Sequence, residues 1–480
     1  MNYRKSMEAW IATAWRVRAA AIALAALALA GCVATGEPAA SVPQTPKNII
    51  IMFADGAAFT QWEFGRYSSR ELRKQPFAAT EIVFSQGVLG LITTHSANSM
   101  VTDSAASATA MSTGFKTNNF MIGVGPDGKL LTTLYETARA AGKRLGLVTT
   151  AEIYDASPAA FSVHSGNRGE SQRIVDQYLA LEPDVLLGGG AGYFLPAAAP
   201  GGRRKDGKNV IAAFAAKGYQ VARNTTELNA AGSGRLLGLF ADGPMGYEID
   251  NDPAKTPSIA DMTRAALRVL SQSSPKGFVL FAENENIDDA AHENDIAATM
   301  RALWAFDDAV KVALEFQRGN PDTLVIVTSD HETGGLSITY ALRDLLSLSR
   351  DNRIYAGQTQ LESIGRITMS LGAVSRKLGR KPSPEMLDAL LSQHFPGFRL
   401  DDDLREQILK QQPMELNFSY ITQNALGRMI ARQTGFYWGT AGHTTEPVAV
   451  GALGPGAELF RGYQDNTDFG KHLHRLVSGK

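Results

Sequence analysis

Apolar residues in this chain come in short unbroken runs rather than alternating with polar ones. Residues 48–53 read Asn-Ile-Ile-Ile-Met-Phe, follow Lys47 and give way to Ala54, Asp55 and Gly56. Runs at 144–150, 277–282 and 323–328 repeat the pattern. They open into the polar segment 152–157, into Glu283, and into Asp330 and His331. Continuous apolar runs of this length predict strands buried on both faces. Stretches with helical spacing lie between them, at 131–141, 259–271 and 296–316. Strand and helix in alternation predict an α/β fold, a large and mainly parallel central sheet with helices on both faces. Such sheets bind ligands beyond the carboxyl ends of their strands. Four predicted strands here end in Asp, Glu or Asp-His, which points to a metal site. Residues 336–435 break the rhythm: they are helical and charged, as at 382–393 and 401–412. They predict a helical cap inserted into a domain that runs from 47 to 480.

At 480 residues the chain can bury a large core. Basic and acidic residues nearly cancel, 47 against 48, and no long basic run appears. This argues against a dedicated nucleic-acid binder. Lys5, Arg16 and Arg18 precede an apolar run at 19–30, too short to span a bilayer comfortably and suited to a secretory signal. The run closes on Leu29, Ala30, Gly31 and Cys32, the single cysteine. This resembles the lipobox of bacterial lipoproteins, in which the signal is cut before the cysteine and the thiol is acylated. The expectation is a signal peptide at 1–31, a flexible tether at 32–46 and no intrachain disulfide. The mature protein would then be lipid-anchored to a bacterial membrane, facing the periplasm or the cell surface. A plain secretory signal with an incidental cysteine is the alternative.

Candidate chemistry begins at 101–110, where Asp103 and Ser104 introduce a run of small residues. An acid and a serine before an Ala-rich stretch read by themselves first as a helix N-cap, and also as a nucleophile at a helix start, where amides and dipole favour an anion. Glu283, Asp288 and His292 follow one another closely, with Asp288 and His292 one helical turn apart. Asp330 and His331 are adjacent, and His443 lies in a small Gly-flanked segment. Carboxylate with imidazole suits zinc, and all-oxygen sets suit magnesium. Each residue alone could equally be structural.

Together these residues resemble the alkaline phosphatase family. Residues 101–109 match its nucleophile signature, and the likeness continues at 48–56, 155–158, 164–168, 187–190, 238–250, 257–292, 323–335 and 442–450. It spans about 47–456 and fades in the insertion. The resemblance implies two zinc ions and one magnesium. Asp288, His292 and His443 would hold the first zinc. Asp55, Asp330 and His331 would hold the second, joined by Ser104 during turnover. Asp55, Ser157 and Glu283 would hold magnesium, with Glu283 preferred over Glu285 because the family spaces this acid five residues before the aspartate, here Asp288. Arg168 would grip phosphate, oriented by Asp103. The implied reaction is hydrolysis of phosphate monoesters through a phosphoserine, and a homodimer is a family expectation.

The sequence also departs from the family. Ala57 and Ala58 follow Gly56 where Met-Gly is common, and Asn284 stands where glycine is common, which leaves the backbone of both loops open. Asp155 and Asp289 occupy positions that vary within the family, and two acids there favour magnesium over a third zinc. His95, His164, His394, His472 and His474 are expected to be structural. Other readings are a phosphodiesterase or sulfatase of the same superfamily, or a non-enzymatic metal- or phosphate-binding lipoprotein. Arg168, the intact signature at 101–109 and the complete ligand set favour the monoesterase.

Overall fold

A computed structural model describes residues 45–479 apart from 344–346 and 348. The expected signal peptide, Cys32 and nearly all of the tether lie outside the described residues. The strands are β1 (Asn48–Phe53), β2 (Val88–Ile92), β3 (Arg144–Glu152), β4 (Val185–Gly189), β5 (Tyr219–Ala222), β6 (Arg235–Leu239), β7 (Phe278–Glu283), β8 (Thr323–Thr328), β9 (Val448–Leu453) and β10 (Gly462–Gln464). They form one sheet in the order β10-β2-β9-β8-β1-β7-β3-β4-β6-β5. Only β9 runs against its neighbours, β2 and β8; every other adjacent pair is parallel. The helices that bear on the site are α1 (Ser104–Thr113), α2 (Ala156–Ala160), α3 (Ile259–Ser271), α4 (Asn286–His292), α5 (Ile296–Gly319), α6 (Ile421–Thr434) and α7 (Asn466–Ser478).

The unbroken apolar runs have a physical reason, since each central strand is covered on both faces. Ile50, Met52, Leu280, Ala282, Val325 and Val327 face a core completed by α3 and α5. Their sequence neighbours Ile49, Ile51, Phe53, Val279, Phe281, Leu324 and Ile326 face a second core completed by α1 and α7. Side chains alternate with period two, but both faces demand apolar groups, so hydropathy shows no alternation. The expected mainly parallel sheet between two helical layers is the observed architecture.

The segment 336–435 leaves and rejoins the fold through a two-stranded ribbon in which Leu336 pairs with Trp438 and Ile338 with Phe436. The two helices expected within it are present, at Pro384–His394 and Asp402–Lys410. Its apolar residues Leu361, Leu371, Val374, Leu404, Ile408 and Met429 belong to the same core as Leu303 and Phe306 of α5. This segment therefore extends the core on one face of the sheet. Among the described residues no helix is long and apolar enough to cross a membrane.

Candidate metal centre

The four acid-bearing strands prove to be neighbours, β8, β1, β7 and β3, at the middle of the sheet. Being parallel, they deliver their carboxyl ends to one edge. Asp55 lies just beyond β1, Glu283 ends β7, Asp330 follows β8, and Ser157 lies in α2 just beyond β3. The turn after β1 is made by Gly56 with φ +76°, and a Cβ there would stand 2.8 Å from Asp288 Cα. Only glycine suits that backbone and that approach. Ala58 adopts an ordinary extended conformation as the N-cap of the next helix, Phe59–Ser68, so the replacement of a family glycine there costs no strain.

Asp288, His292 and His443 form the first group, their ligand atoms all within 4.8 Å of one another. Asp288 and His292 share one face of α4, with His292 Nε2 3.1 Å from Asp288 Oδ2. His292 Nδ1 donates to Ala441 O at 2.7 Å, and His443 Nδ1 donates to Thr102 O at 2.8 Å. Both rings are thereby fixed in the tautomer that aims Nε2 inward, and the two Nε2 atoms meet at 3.2 Å. Two imidazole nitrogens converging on a carboxylate is a cation-ligand arrangement. Burial pulls Asp288 upward, but His292 and His443 outweigh it and hold the carboxylate well below its usual range.

Asp55, Asp330 and His331 form the second group, fully buried. His331 Nε2 is 3.1 Å from Asp330 Oδ2 and 3.6 Å from Asp55 Oδ1. The rings of His331 and His443 stack at 3.6 Å, so the two groups are contiguous. Around Asp55 lie Ser157, whose hydroxyl donates to Asp55 Oδ2 at 3.2 Å, and Glu283, whose Oε2 accepts from Thr149 at 2.6 Å. Asp55 Oδ1, Glu283 Oε1 and Asp330 Oδ2 are buried and accept no hydrogen bond. Buried carboxylate oxygens without donors are costly, and here they converge with imidazoles. The donor set therefore fits divalent cations. Burial, with Asp330 nearby, raises Asp55 well above its ordinary value, and burial pushes Glu283 up to about 8.

Ser104 opens α1, and its Oγ stands 3.1 Å from His331 Nε2. Asp103 is the N-cap of that helix, with Oδ1 accepting from Ala106 N at 3.0 Å. Its other oxygen accepts from Phe120 N at 3.1 Å and Arg168 Nη1 at 3.3 Å. The alternatives left open at Asp103 and Ser104 are thus compatible: the same aspartate caps the helix and holds the arginine. Arg168 Nη2 donates to Asp155 Oδ1 at 2.8 Å, a partner that the sequence did not single out. Burial disfavours the Arg168 charge, but Asp155 and Asp103 outweigh it and raise its pKa.

Asn284, the substitution for a glycine, adopts no left-handed backbone. Its buried amide accepts from Thr150 Oγ1 and Asn286 N and donates to Ala302 O. It fastens the loop after β7 to its surroundings. Glu285, set aside on spacing, reaches the site: one ligand atom each from Asp55, Glu283 and Glu285 falls within 4.8 Å, as does a set from Glu285, Asp288 and Asp289. His164 instead bonds Leu131 O, His394 bonds Thr368, and His474 bonds Thr137 and Ser112 O. His95 faces Asp465, and His472 packs edge-on against Phe460.

The family profile described as alkaline phosphatase matches residues 46–478. Alkaline phosphatase 4 of Bacillus subtilis is 32% identical over 440 residues, covering 90% of this chain and 88% of the relative. Among solved structures, that of Thermus thermophilus alkaline phosphatase superposes with a TM-score of 0.81 at 32% identity, covering 91% of this chain and 93% of that one. The cold-active alkaline phosphatase of a psychrophilic Shewanella superposes with a TM-score of 0.74 at 32% identity, over 90% of this chain and 99% of that one.

Proposed function

The chain belongs to the alkaline phosphatase family and hydrolyses phosphate monoesters, and from that premise we propose that Ser104 is the nucleophile and that the reaction passes through a phosphoserine. Alkaline phosphatases are metal-dependent, and this chain carries clustered acids and histidines able to hold cations. In our reading Asp288, His292 and His443 hold one zinc, Asp55, Asp330 and His331 a second, and Asp55, Ser157 and Glu283 a magnesium, with Asp155 and Asp289 favouring the hard cation. Bound there, the cations supply positive charge against the phosphate dianion and lower the pKa of the hydroxyl they touch. Ser104 Oγ attacks phosphorus in line, the ester P–O bond breaks, and the alcohol departs with a proton. Water then attacks the phosphoserine, returning Ser104 and releasing inorganic phosphate. Arg168 directs two parallel N–H groups at two phosphate oxygens, which a lysine cannot do. Asp103 and Asp155 hold that guanidinium, and the α1 N-terminus adds its dipole. The transition state needs positioning and charge neutralisation more than covalent assistance.

The observation that carries this reading is the Ser104 hydroxyl, 3.1 Å from His331 Nε2 and at the head of a buried helix. In the test, Ser104→Ala is assayed on an aryl phosphate beside matched diester and sulfate substrates. The expected result is a monoester preference and a loss of turnover by about three orders of magnitude or more in the variant. Undiminished turnover would overturn the mechanism. We also propose that 1–31 is a lipoprotein signal, that Cys32 is acylated and that 32–46 tethers an extracytoplasmic domain at 47–480. Cys32→Ala should then release activity from the membrane fraction into the soluble extracytoplasmic fraction.

A further inference from the structure

Residues 284 and 285 connect β7 to α4, and the backbone from there into Asn286 is tightly held. Glu285 N donates to Thr150 Oγ1 at 2.9 Å, and Asn286 N approaches the same hydroxyl at 3.3 Å. Thr150 in turn donates to Asn284 Oδ1 at 2.9 Å. Glu285 occupies the N-cap position of α4, yet its side chain makes no capping hydrogen bond. The carboxylate turns instead toward Asp55 and Glu283, where one oxygen of each residue falls within 4.8 Å of the others. Glu285 is 8% exposed, and Asp55 and Glu283 are fully buried. Glu283 Oε1 is buried without a donor, while Asp55 accepts from Ser157 through Oδ2 at 3.2 Å and its donor-free Oδ1 faces His331 Nε2 at 3.6 Å. Three carboxylates this close and this dry repel one another strongly unless a cation lies among them.

We propose that Glu285 is a further ligand of the third cation site, adding a carboxylate to Asp55, Ser157 and Glu283. The inference rests on the three-cation reading above. It gives the site an all-oxygen donor set with three acids, which suits magnesium and disfavours zinc. Glu285 also comes within reach of Asp288 and Asp289. Glu283, whose buried Oε1 lacks a donor, belongs to the set with Asp55 and not to the set with Asp288 and Asp289, and it directs the assignment. Glu285 holds the cation at this position and takes no part in bond making.

The test uses full-length protein stripped by chelation and reloaded with zinc alone, then titrated with Mg2+ by calorimetry. Glu285→Gln and Glu285→Ser should each weaken Mg2+ binding by about tenfold or more, with zinc content unchanged. The unfolding temperature of the metal-free variants should match or exceed that of the parent, because a repelling charge has gone, while the gain on adding Mg2+ should shrink. Glu283→Gln serves as the reference. If it abolishes Mg2+ binding while both Glu285 variants bind normally, the inference about Glu285 falls and the third site stands. If none of the three variants alters Mg2+ affinity, the third-site reading falls with it. A lowered metal-free unfolding temperature with unchanged Mg2+ affinity would mark Glu285 as structural only and overturn the proposal.

Discussion

With Nδ1 of His292 bound to Ala441 O and Nδ1 of His443 bound to Thr102 O, their Nε2 atoms face one another at 3.2 Å, beside Asp288. Burial pulls His292 down, but Asp288 outweighs it and pushes the imidazole up to about 9. Burial and His331 push His443 down to about 4. Between those values the metal-free pocket holds one proton on His292, where a cation would sit. Zinc must displace it, so affinity should rise about tenfold per pH unit up to about pH 9 and level off above. Calorimetry of stripped protein in buffers of different ionisation enthalpy should register at least one proton released per zinc below that pH; none released would refute the account. Arg168→Lys retains charge but loses the fork, and inhibition by inorganic phosphate should weaken about tenfold or more. At this scale Asp103, Ser104, His292, His331 and His443 were only candidates from residue type and spacing, and the family resemblance gave them their expected roles. Glu285 was set aside there, because the spacing of the resembled family favours Glu283 and says nothing of where a neighbouring side chain turns. The role of Asn284 was equally hidden, since it depends on Thr150 and Ala302, which are remote in sequence.

The helix that presents Ser104 is buried along its whole length and, apart from Met111, made of small residues, so its position depends on what packs against it. Helix α7 does so through Gly470, where a Cβ would stand 2.5 Å from Gly114 N and 2.8 Å from Ala110 O. From the same helix Asn466 Nδ2 donates to Ser107 Oγ at 3.2 Å, and Ser107 donates to Asp330 O at 2.9 Å. The C-terminal helix is thus connected through α1 to a proposed metal ligand. Gly470→Ala should push the helices apart, cost about 1–3 kcal/mol and lower kcat more than KM. Thermal unfolding and steady-state kinetics on one preparation check both effects. Unaltered stability would mean that the packing yields without cost. The four central strands β1, β3, β7 and β8 were legible at this scale because each apolar run is bounded by a charge or a glycine; the other six strands of the sheet were not singled out. The helix expected at 131–141 starts at Leu134, where Thr133 and Glu136 form a capping box. The ribbon that closes the insertion was not legible, since its three-residue strands are too short to carry a period.

A formal net charge of −1 for the whole chain conceals how unevenly charge is placed. Asp55, Glu283, Glu285, Asp288, Asp289 and Asp330 crowd one end of the sheet, brought together from three strand ends and one helix. Burial and mutual repulsion push Asp289 up to about 8 and raise Glu285 well above its ordinary range. Without cations, then, the fold must either take up protons there or bear the repulsion, and metal binding is coupled to stability. A ligand present at a thousand times its Kd adds about 4 kcal/mol to a folded state that alone binds it, and several sites act together. Chelator-stripped protein should stay folded, because both cores extend along the sheet well beyond the residues that border the cluster. Its unfolding temperature should fall by several degrees, and zinc with magnesium should restore it in a saturable way. Sodium chloride at matched ionic strength should not, since screening reaches buried charges poorly. The loss on stripping should be larger at pH 9 than at pH 6, because groups raised to about 8 are protonated at the lower pH and repel less. A stripped protein as stable as the loaded one at both pH values would mean that the carboxylates are already compensated within the chain, and the three-cation reading would lose its physical basis.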